Sequence, residues 1–208
     1  MNAAEKLFSE LGVEGTSVRA ITTAAGANLG AINYHFGSKD QLVMEVFARR
    51  LQPLNRERLA RLDALERAAG KRKLKLEQVV EALVRPAVET RETQTEDEYA
   101  FMQVICRCFH EPNPKLKAFV EDQFREIARR FDAAVLRAVP NLPSGELYWR
   151  MKFFFGALHH GLEMWMSFEK MPRPNPDVQP TPLDREAFIQ RIVAFVTAGL
   201  SAQLPNQP

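Results

Sequence analysis

The amino-acid sequence predicts an all-α protein, and three observations support this prediction. Apolar residues recur at positions i, i+3, i+4 and i+7 in the periodic segments, no segment alternates with a period of two, and glycine or proline ends most segments. With 26% charged and 46% hydrophobic residues, the composition is that of a globular rather than a disordered chain. A length of 208 residues allows one domain or two small ones.

The first two predicted helices are short and are separated by a glycine. Apolar residues at helical spacing begin at Ala4, and Gly12 ends this first helix. Thr16 or Ser17 can cap the second helix, which breaks at Gly26.

The third predicted helix, capped by Asn28, has two distinct faces. Ile32 and Phe36 share one face at i, i+4 spacing, and Tyr34 points to the opposite face. Two short helices joined by a tight turn are typical of a helix-turn-helix, whose second helix enters the major groove of DNA. The alternative is an ordinary helix end, in which Tyr34 packs on the first helix and His35 bonds to a carbonyl group.

Acidic residues are absent between Glu14 and Asp40, although 26 of the 208 residues are acidic and about three would be expected there by proportion. The stretch is instead rich in hydroxyl, amide and cationic groups, which hydrogen-bond to phosphate oxygens and base edges. Since the net charge is only +2, any basic footprint must be local. The pattern favours double-stranded DNA as the partner.

The rest of the chain is also predicted to be helical. A long helix runs from Lys39 to about Arg67 and contains Pro53. Helical spacing recurs over residues 76–88, 99–108, 116–139 and 147–168, and a last helix spans about residues 184–202. Residues 171–182, MPRPNPDVQPTP, are predicted to form an extended loop because proline interrupts helices.

A resemblance to the N-terminal domain of TetR-type (TetR/AcrR) transcriptional regulators covers residues 3–47, AAEKLFSELGVEGTSVRAITTAAGANLGAINYHFGSKDQLVMEVF. It rests on Ala-Ala-x-x-Leu-Phe, the glycine before a Thr-Ser cap, Ile-x-x-x-Ala-Gly, and Tyr-His-Phe-x-x-Lys-x-x-Leu. The resemblance implies a three-helix helix-turn-helix DNA-binding head at residues 1–47 and an all-helical effector-binding and dimerisation domain at residues 48–208. It also implies a homodimer that represses transcription from a palindromic operator until a small molecule releases it.

The resemblance further implies roles for individual residues of the head. Two positions at the start of the second helix match phosphate contacts, and an arginine lies near the groove. The beginning of the third helix would face the bases, and its end would contact phosphate, which positions the head without reading sequence. In chain order these residues are Thr16, Ser17, Arg19, Asn28, Leu29, Gly30, Asn33, Tyr34, His35 and Lys39.

Two positions of the third helix need separate interpretation. A helical wheel places Leu29 beside Ile32 in the core, whereas the family uses this position for bases, and we favour a contact with a thymine methyl group. Asn33 stands where many members have an aromatic residue, and a bidentate contact with adenine there would contribute about 1–3 kcal/mol of discrimination. The first helix begins about one turn later than is usual in the family, so no phosphate contact is predicted from a basic arm.

The segment from Leu147 to Phe168 is apolar nearly all round, which predicts a partner helix. Gly156 and Gly161 are small enough to permit close helix approach. In the last helix we expect Phe188, Ile192, Phe195 and Val196 on one face, and the resemblance implies a four-helix dimer interface built from these two helices. The alternative is a fully buried helix in a monomer.

An effector pocket is predicted among the helices between residues 76 and 165. Phenylalanine and methionine side chains would suit an acyl or aromatic effector. The NYHFGSK and WRMKFFFGAL segments resemble a branch of the family that includes fatty-acid-responsive regulators. The candidate lining is Phe101, Met102, Ile105, Phe109, Phe124, Phe154, Met164 and Trp165, with Arg107, His110 or His159 as a polar anchor.

Other classes of function are less well supported. Cys106 and His110 share a helical face, but two ligands do not make a metal site, and we interpret them as a core cysteine and a polar histidine. The alternative is an enzyme that acts on a small molecule in the C-terminal pocket, but the sequence shows no set of nucleophile, base and orienting residue, no P-loop and no metal pair to support it. A DNA-architectural protein without an effector is disfavoured, because it would have no function for a C-terminal domain as large as residues 48–208. No cofactor is expected.

The cellular compartment is predicted to be the cytoplasm. Only Cys106 and Cys108 are present, and no signal-peptide pattern precedes them, so a secreted disulfide scaffold is not expected. The longest apolar run is broken by Lys152 and Glu163, so no membrane span is predicted.

Overall fold

The structure is a computed structural model that describes residues 1–89, 114–168, 177 and 180–204. At position 29 and positions 31–33 the backbone is described and the side chain is not. All regular secondary structure in this part of the chain is helical, which confirms the predicted all-α fold. The helices are α1 (Asn2–Gly15), α2 (Val18–Ala24), α3 (Leu29–Phe36), α4 (Lys39–Ala69), α5 (Leu76–Glu89), α6 (Pro114–Ala138), α7 (Ser144–Met166) and α8 (Arg185–Ser201).

Helix boundaries follow the predicted glycines and caps. Gly12 interrupts α1 with φ +75° and ψ 166°, a conformation that L side chains rarely adopt. The hydroxyl of Ser17 accepts a hydrogen bond from Ala20 N at 3.1 Å and so caps α2. Gly26, with φ +61°, ends the α2 segment. The predicted helix at 99–108 and most of the proline-rich stretch lie outside the described residues.

The described residues divide into two compact units: residues 1–56 with 114–127, and residues 57–89 with 128–168 and 180–204. In the first unit, buried side chains of α1, α2 and α4 form one core with Leu116 and Val120 of α6. Both α6 side chains are almost completely buried. The head of the sequence analysis therefore shares its hydrophobic core with residues that lie far beyond it in the chain.

Polar contacts also connect the helices of this first unit. The buried carboxylate of Glu5 in α1 pairs with Arg50 in α4, with 2.6 Å between Arg50 Nη2 and Glu5 Oε1. Asn55 in α4 is buried, and its Nδ2 donates to the carbonyl oxygen of Gln123 in α6 at 2.8 Å. Because a buried amide must find a partner, this bond fixes the register of α6 against α4.

In the second unit, α8 packs against α5 and α7. Arg85 of α5 lies 2.8 Å from Glu186 of α8 and also pairs with two glutamates of its own helix. These bonds raise the pKa of Arg85, and the Arg85 guanidinium lowers the pKa of Glu186. At the other end of α8, Arg150 of α7 donates to the carbonyl oxygens of Leu200 and Ala202 at 2.8 and 2.7 Å, and so caps the helix.

No helix in the described part of the chain is long and apolar enough to cross a membrane.

Candidate nucleic-acid interface

Helices α2 and α3 follow one another across a tight turn and contact each other, which is the predicted helix-turn-helix. Asn28 caps α3, as expected, because its Oδ1 accepts a hydrogen bond from Gly30 N at 2.9 Å. Phe36, at the end of α3, packs against the core of the first unit. Among the described side chains, Phe36 and Asn28 therefore hold the two ends of α3.

Tyr34 is the most exposed large hydrophobic side chain described, at 86% of its full accessibility. The alternative in which Tyr34 packs on the first helix is therefore wrong. Its ring lies edge-on to the neighbouring His35 ring, with 5.0 Å between centroids, and His35 is exposed as well. Both side chains present hydrogen-bonding groups to solvent from the end of α3.

The other predicted DNA-binding side chains that the structure describes lie on the surface, with one exception. Ser17, Arg19, Asn28 and Gly30 are exposed, and Lys39 at the start of α4 is partly exposed. Neither α2 nor α3 contains an acidic residue, so no carboxylate from these helices opposes the charge of Arg19 and Lys39.

Thr16 is the exception. Its side chain is only 1% exposed, and its hydroxyl lies 2.7 Å from the carbonyl oxygen of Gly12 and 3.1 Å from that of Leu7. A buried hydroxyl that already bonds inside the chain does not reach a phosphate. The expectation that the Thr16 side chain contacts phosphate is corrected. Its hydroxyl instead donates to carbonyl oxygens of α1 and so holds the residues before α2 against α1.

The base-reading assignments of Leu29 and Asn33 concern side chains that the structure does not describe, and they stay predictions. The same applies to the core assignment of Ile32. Gly30 is described, and among the described atoms a Cβ added there would come within 4 Å of Asn28 Oδ1 alone, at 3.7 Å, which is ordinary van der Waals contact.

Most of the predicted effector pocket lies outside the described residues, namely Phe101, Met102, Ile105, Arg107, Phe109 and His110. Of the remainder, Phe154 is buried and His159 is half-buried. The Phe155 ring lies next to both, with 4.9 Å between its centroid and that of Phe154 and 6.2 Å between its centroid and that of His159. Trp165 lies apart, because eleven residues of α7 separate it from Phe154, about 16 Å along the axis.

Trp165 is engaged in packing against its own chain. It stacks on Phe188 of α8 with 4.8 Å between ring centroids, and its Nε1 donates to the carbonyl oxygen of Leu183 at 2.8 Å. These contacts connect the end of α7 to the segment before α8. A role for Trp165 in lining an effector pocket stays a prediction.

Open clefts occur elsewhere on the described surface. One of about 550 Å³ is lined by residues of α4, among them Asp63 and Glu66, and another of about 370 Å³ in the first unit is bordered by Met44 and Phe119. None of the described residues predicted to line the effector pocket borders either cleft.

A second exposed surface lies on α7 and α8. Trp149 and Phe153 of α7 and Phe195 of α8 are 58%, 68% and 69% exposed. A Cβ added at Gly156 would meet no described atom within 4 Å, whereas one at Gly161 would meet Phe188 and Ile192 of α8. Gly156 therefore belongs to the outward face, and Gly161 permits packing within the chain.

This surface corrects the sequence-based assignment of the outward face of α8. The helical wheel groups Phe195 with Phe188, Ile192 and Val196, but these three side chains are buried in the second unit. The buried side contacts α5 and α7, and only Phe195 of the group faces outward. Helical spacing identifies an apolar stripe, but it does not tell which part of a wide stripe the chain itself covers.

Two domain descriptions of one protein family match parts of this sequence. Residues 1–46 match the bacterial regulatory proteins of the tetR family, and residues 81–199 match the Tetracyclin repressor-like, C-terminal domain. No curated protein matches the chain.

Several solved structures share the fold. The fatty acid degradation regulator FadR from Bacillus halodurans aligns with a TM-score of 0.64 at 15% identity, over 95% of this chain and 96% of its own. FadR from Bacillus subtilis, solved in complex with stearoyl-CoA, gives the same TM-score and coverage at 14% identity. The TetR family regulator PfmR from Thermus thermophilus gives 0.59 at 19% identity, over 98% of both chains. At these identities the likeness is one of fold.

Proposed function

The chain belongs to the tetR family of bacterial regulatory proteins, and on that premise we propose that it is a homodimeric repressor acting in the cytoplasm. The family consists of DNA-binding transcription regulators, and this chain is one of them. The repressor binds a palindromic operator and is released by a small apolar or amphipathic effector. Residues 1–47 serve DNA binding, and residues 48–208 serve effector binding and dimerisation.

One observation carries the DNA-binding assignment: α2, α3 and the preceding residues Ser17 and Asn28 expose hydroxyl, amide and cationic groups within residues 15–39, a segment without an acidic residue. In the proposed complex Ser17, Tyr34 and Lys39 bond to phosphate oxygens, which fixes the position of the head on the duplex. The first turn of α3 faces the base edges. The proposed set is Ser17, Arg19, Asn28, Leu29, Gly30, Asn33, Tyr34, His35 and Lys39.

Exposed aromatic side chains on α7 and α8 support the homodimer. Trp149, Phe153 and Phe195 would leave a large apolar area in water on a single subunit, and such patches mark interaction sites. A two-fold dimer brings two heads to successive major grooves, which matches a palindromic operator.

The proposed effector carries a fatty acyl chain. This proposal is supported by the likeness to FadR of Bacillus subtilis, whose structure contains stearoyl-CoA, and by the phenylalanines and methionines predicted to line the pocket. Arg107, His110 or His159 would hold its polar end. Binding would tilt α4 and move the two heads out of register, with a coupling free energy of about 1–3 kcal/mol.

Binding of the full-length protein to DNA from the promoter beside its own gene tests the proposal. We expect tight binding to a palindromic sequence that weakens steeply as salt rises from about 50 to 200 mM. Stearoyl-CoA should release the DNA, and free CoA is the control for the headgroup alone. Equal affinity for a scrambled duplex would exclude an operator-specific repressor, and retention of DNA with stearoyl-CoA would exclude the acyl effector.

A further inference from the structure

The outward face of α7 carries opposite charges on either side of Gly156. Lys152 and Glu163 are both exposed, and the Glu163 side chain retains 52% of its accessibility. Eleven residues separate the two, about 16 Å along the helix axis, so they do not pair with each other within one chain. Lys152 Nζ lies 5.3 Å from the centre of the Tyr148 ring, and Glu163 lies 3.6 Å from the exposed His160.

The symmetry of a two-fold dimer restricts how this face can meet its copy. If two copies of α7 pack in parallel, each residue faces itself, so that Lys152 opposes lysine and Glu163 opposes glutamate. If they pack antiparallel, a residue on one side of the centre faces the residue at the same distance on the other side. Like charges across an interface are unfavourable, so the charge pattern favours the antiparallel arrangement.

An antiparallel pair that opposes these two charges would cross between residues 157 and 158, and Gly156 lies within two residues of that point. A Cβ at Gly156 would meet no described atom within 4 Å, so the bare backbone is open to a close approach. Phe153 and Trp149 stand on the same outward face, N-terminal to Gly156, so each copy would cover one side of the crossing point and its partner the other.

We propose that α7 packs antiparallel on the α7 of a second copy of this chain, with its closest approach beside Gly156 and with Lys152 paired to the partner's Glu163. The two-fold axis repeats the pair, so each dimer contains two of them. This inference rests on the proposed homodimer, and it adds the orientation of the helices and the residues that select it.

Charge reversal tests the pairing in the full-length protein. Lys152→Glu places Glu against the partner's Glu163, and Glu163→Lys places Lys against the partner's Lys152. Each single variant should raise the dimer dissociation constant by about tenfold or more, because two like-charge contacts replace two ion pairs. The double variant Lys152→Glu with Glu163→Lys should return to within about threefold of the unmodified protein. Sedimentation over a concentration series measures the constants.

Two controls separate pairing from indirect effects. Lys117→Glu and Glu126→Lys reverse exposed charges on α6 and should leave the dissociation constant unchanged. Lys152 also acts on Asp132, whose pKa its charge lowers, but the double variant does not restore that interaction, so recovery reports on the partner contact.

The outcomes distinguish this inference from the proposed function. A dimer that both single variants weaken and the double variant restores supports the antiparallel pairing. If the single reversals leave the dimer dissociation constant unchanged, or if the double variant does not restore it, the pairing is wrong and the homodimer still stands. A protein that stays monomeric at every concentration overturns the homodimer as well.

Discussion

The exposed surface of α2 and α3 and the exposed surface of α7 and α8 both present aromatic rings to solvent, yet their surroundings differ. On α3, Tyr34 stands beside His35 in a stretch without acidic residues. On α7, Phe153 stands beside Gly156 and shares its exposed face with Trp149. An exposed ring alone is uninformative, since single apolar residues are common on protein surfaces. The neighbouring groups indicate the partner: polar groups without acids favour a polyanion, and apolar groups beside a bare backbone favour another helix.

The largest effect is expected on the apolar surface. Phe153→Glu combined with Phe195→Glu would place four charges in the interface of a dimer, and burial of an unpaired charge is strongly unfavourable. We expect the dissociation constant of the dimer to rise by at least about 100-fold, and operator binding to fall with it. Sedimentation and operator titration measure the two effects.

Phe153→Tyr with Phe195→Tyr is the matched control, because both changes keep the rings. Its dimer should stay close to that of the unmodified protein. If the glutamate variant remains a dimer with full operator affinity, the apolar surface is not the subunit interface.

The second effect concerns the support beneath the polar surface. Leu116 is buried in the core that α1, α2 and α4 form, so Leu116→Ala should lower the free energy of unfolding by about 2–5 kcal/mol. The exposed neighbour Lys117→Ala should change it little. Chemical denaturation measures both, and equal stability of the two variants would contradict the shared core.

Much of the polar surface was predictable from the sequence, because local rules govern it. Gly12 interrupts α1 and Gly26 ends the α2 segment, both with a positive φ, and Ser17 and Asn28 cap the helices that follow. The error at Thr16 has a physical cause, since one acceptor of its hydroxyl is the carbonyl oxygen of Leu7, nine residues earlier. No local sequence pattern predicts a bond between residues this far apart.

The apolar surface was harder to predict, because it depends on contacts between distant segments. The wheel gives α8 one wide apolar stripe, and only packing against α5 and α7 decides that Phe188 is buried while Phe195 is exposed. The burial of Leu116 and Val120 in the core of the head was missed for the same reason. Amphipathic spacing predicts that these residues are buried, but it does not show which hydrophobic core they join.

The third effect sharpens the polar side of the comparison. Asn28→Asp keeps a capping oxygen for Gly30 N, so α3 should remain stable. The new carboxylate would stand in the acid-free segment and repel phosphate, so operator affinity should fall by about tenfold or more. Fluorescence anisotropy at low salt measures the loss, which should shrink as salt rises because the repulsion is screened. Unchanged affinity would place Asn28 away from the DNA.

The fourth effect separates two kinds of phosphate contact. Lys39→Ala removes a cation, so affinity should fall on every sequence and the salt dependence should decrease by about one counterion. Tyr34→Phe removes only a neutral hydroxyl, so affinity should fall about two- to tenfold with the salt dependence unchanged. Titrations of operator and scrambled duplex at several salt concentrations measure both slopes. Identical slopes for the two variants would show that the assignment of a charged contact to Lys39 is wrong.

The smallest effect belongs to a carboxyl group near the apolar surface. Burial raises the pKa of Asp132, and the charge of Lys152 partly opposes that rise. The folded pKa thus lies above that of the unfolded chain, so the ionised carboxylate destabilises the fold above the folded pKa, and this penalty disappears as pH falls through it. Asp132→Asn should therefore raise the melting temperature at about pH 7 and bring no gain at about pH 3, where the carboxyl is protonated in both states. In a Lys152→Gln background the gain at neutral pH should be larger, because the opposing charge is gone, and a gain that does not change with pH would contradict the role assigned to burial.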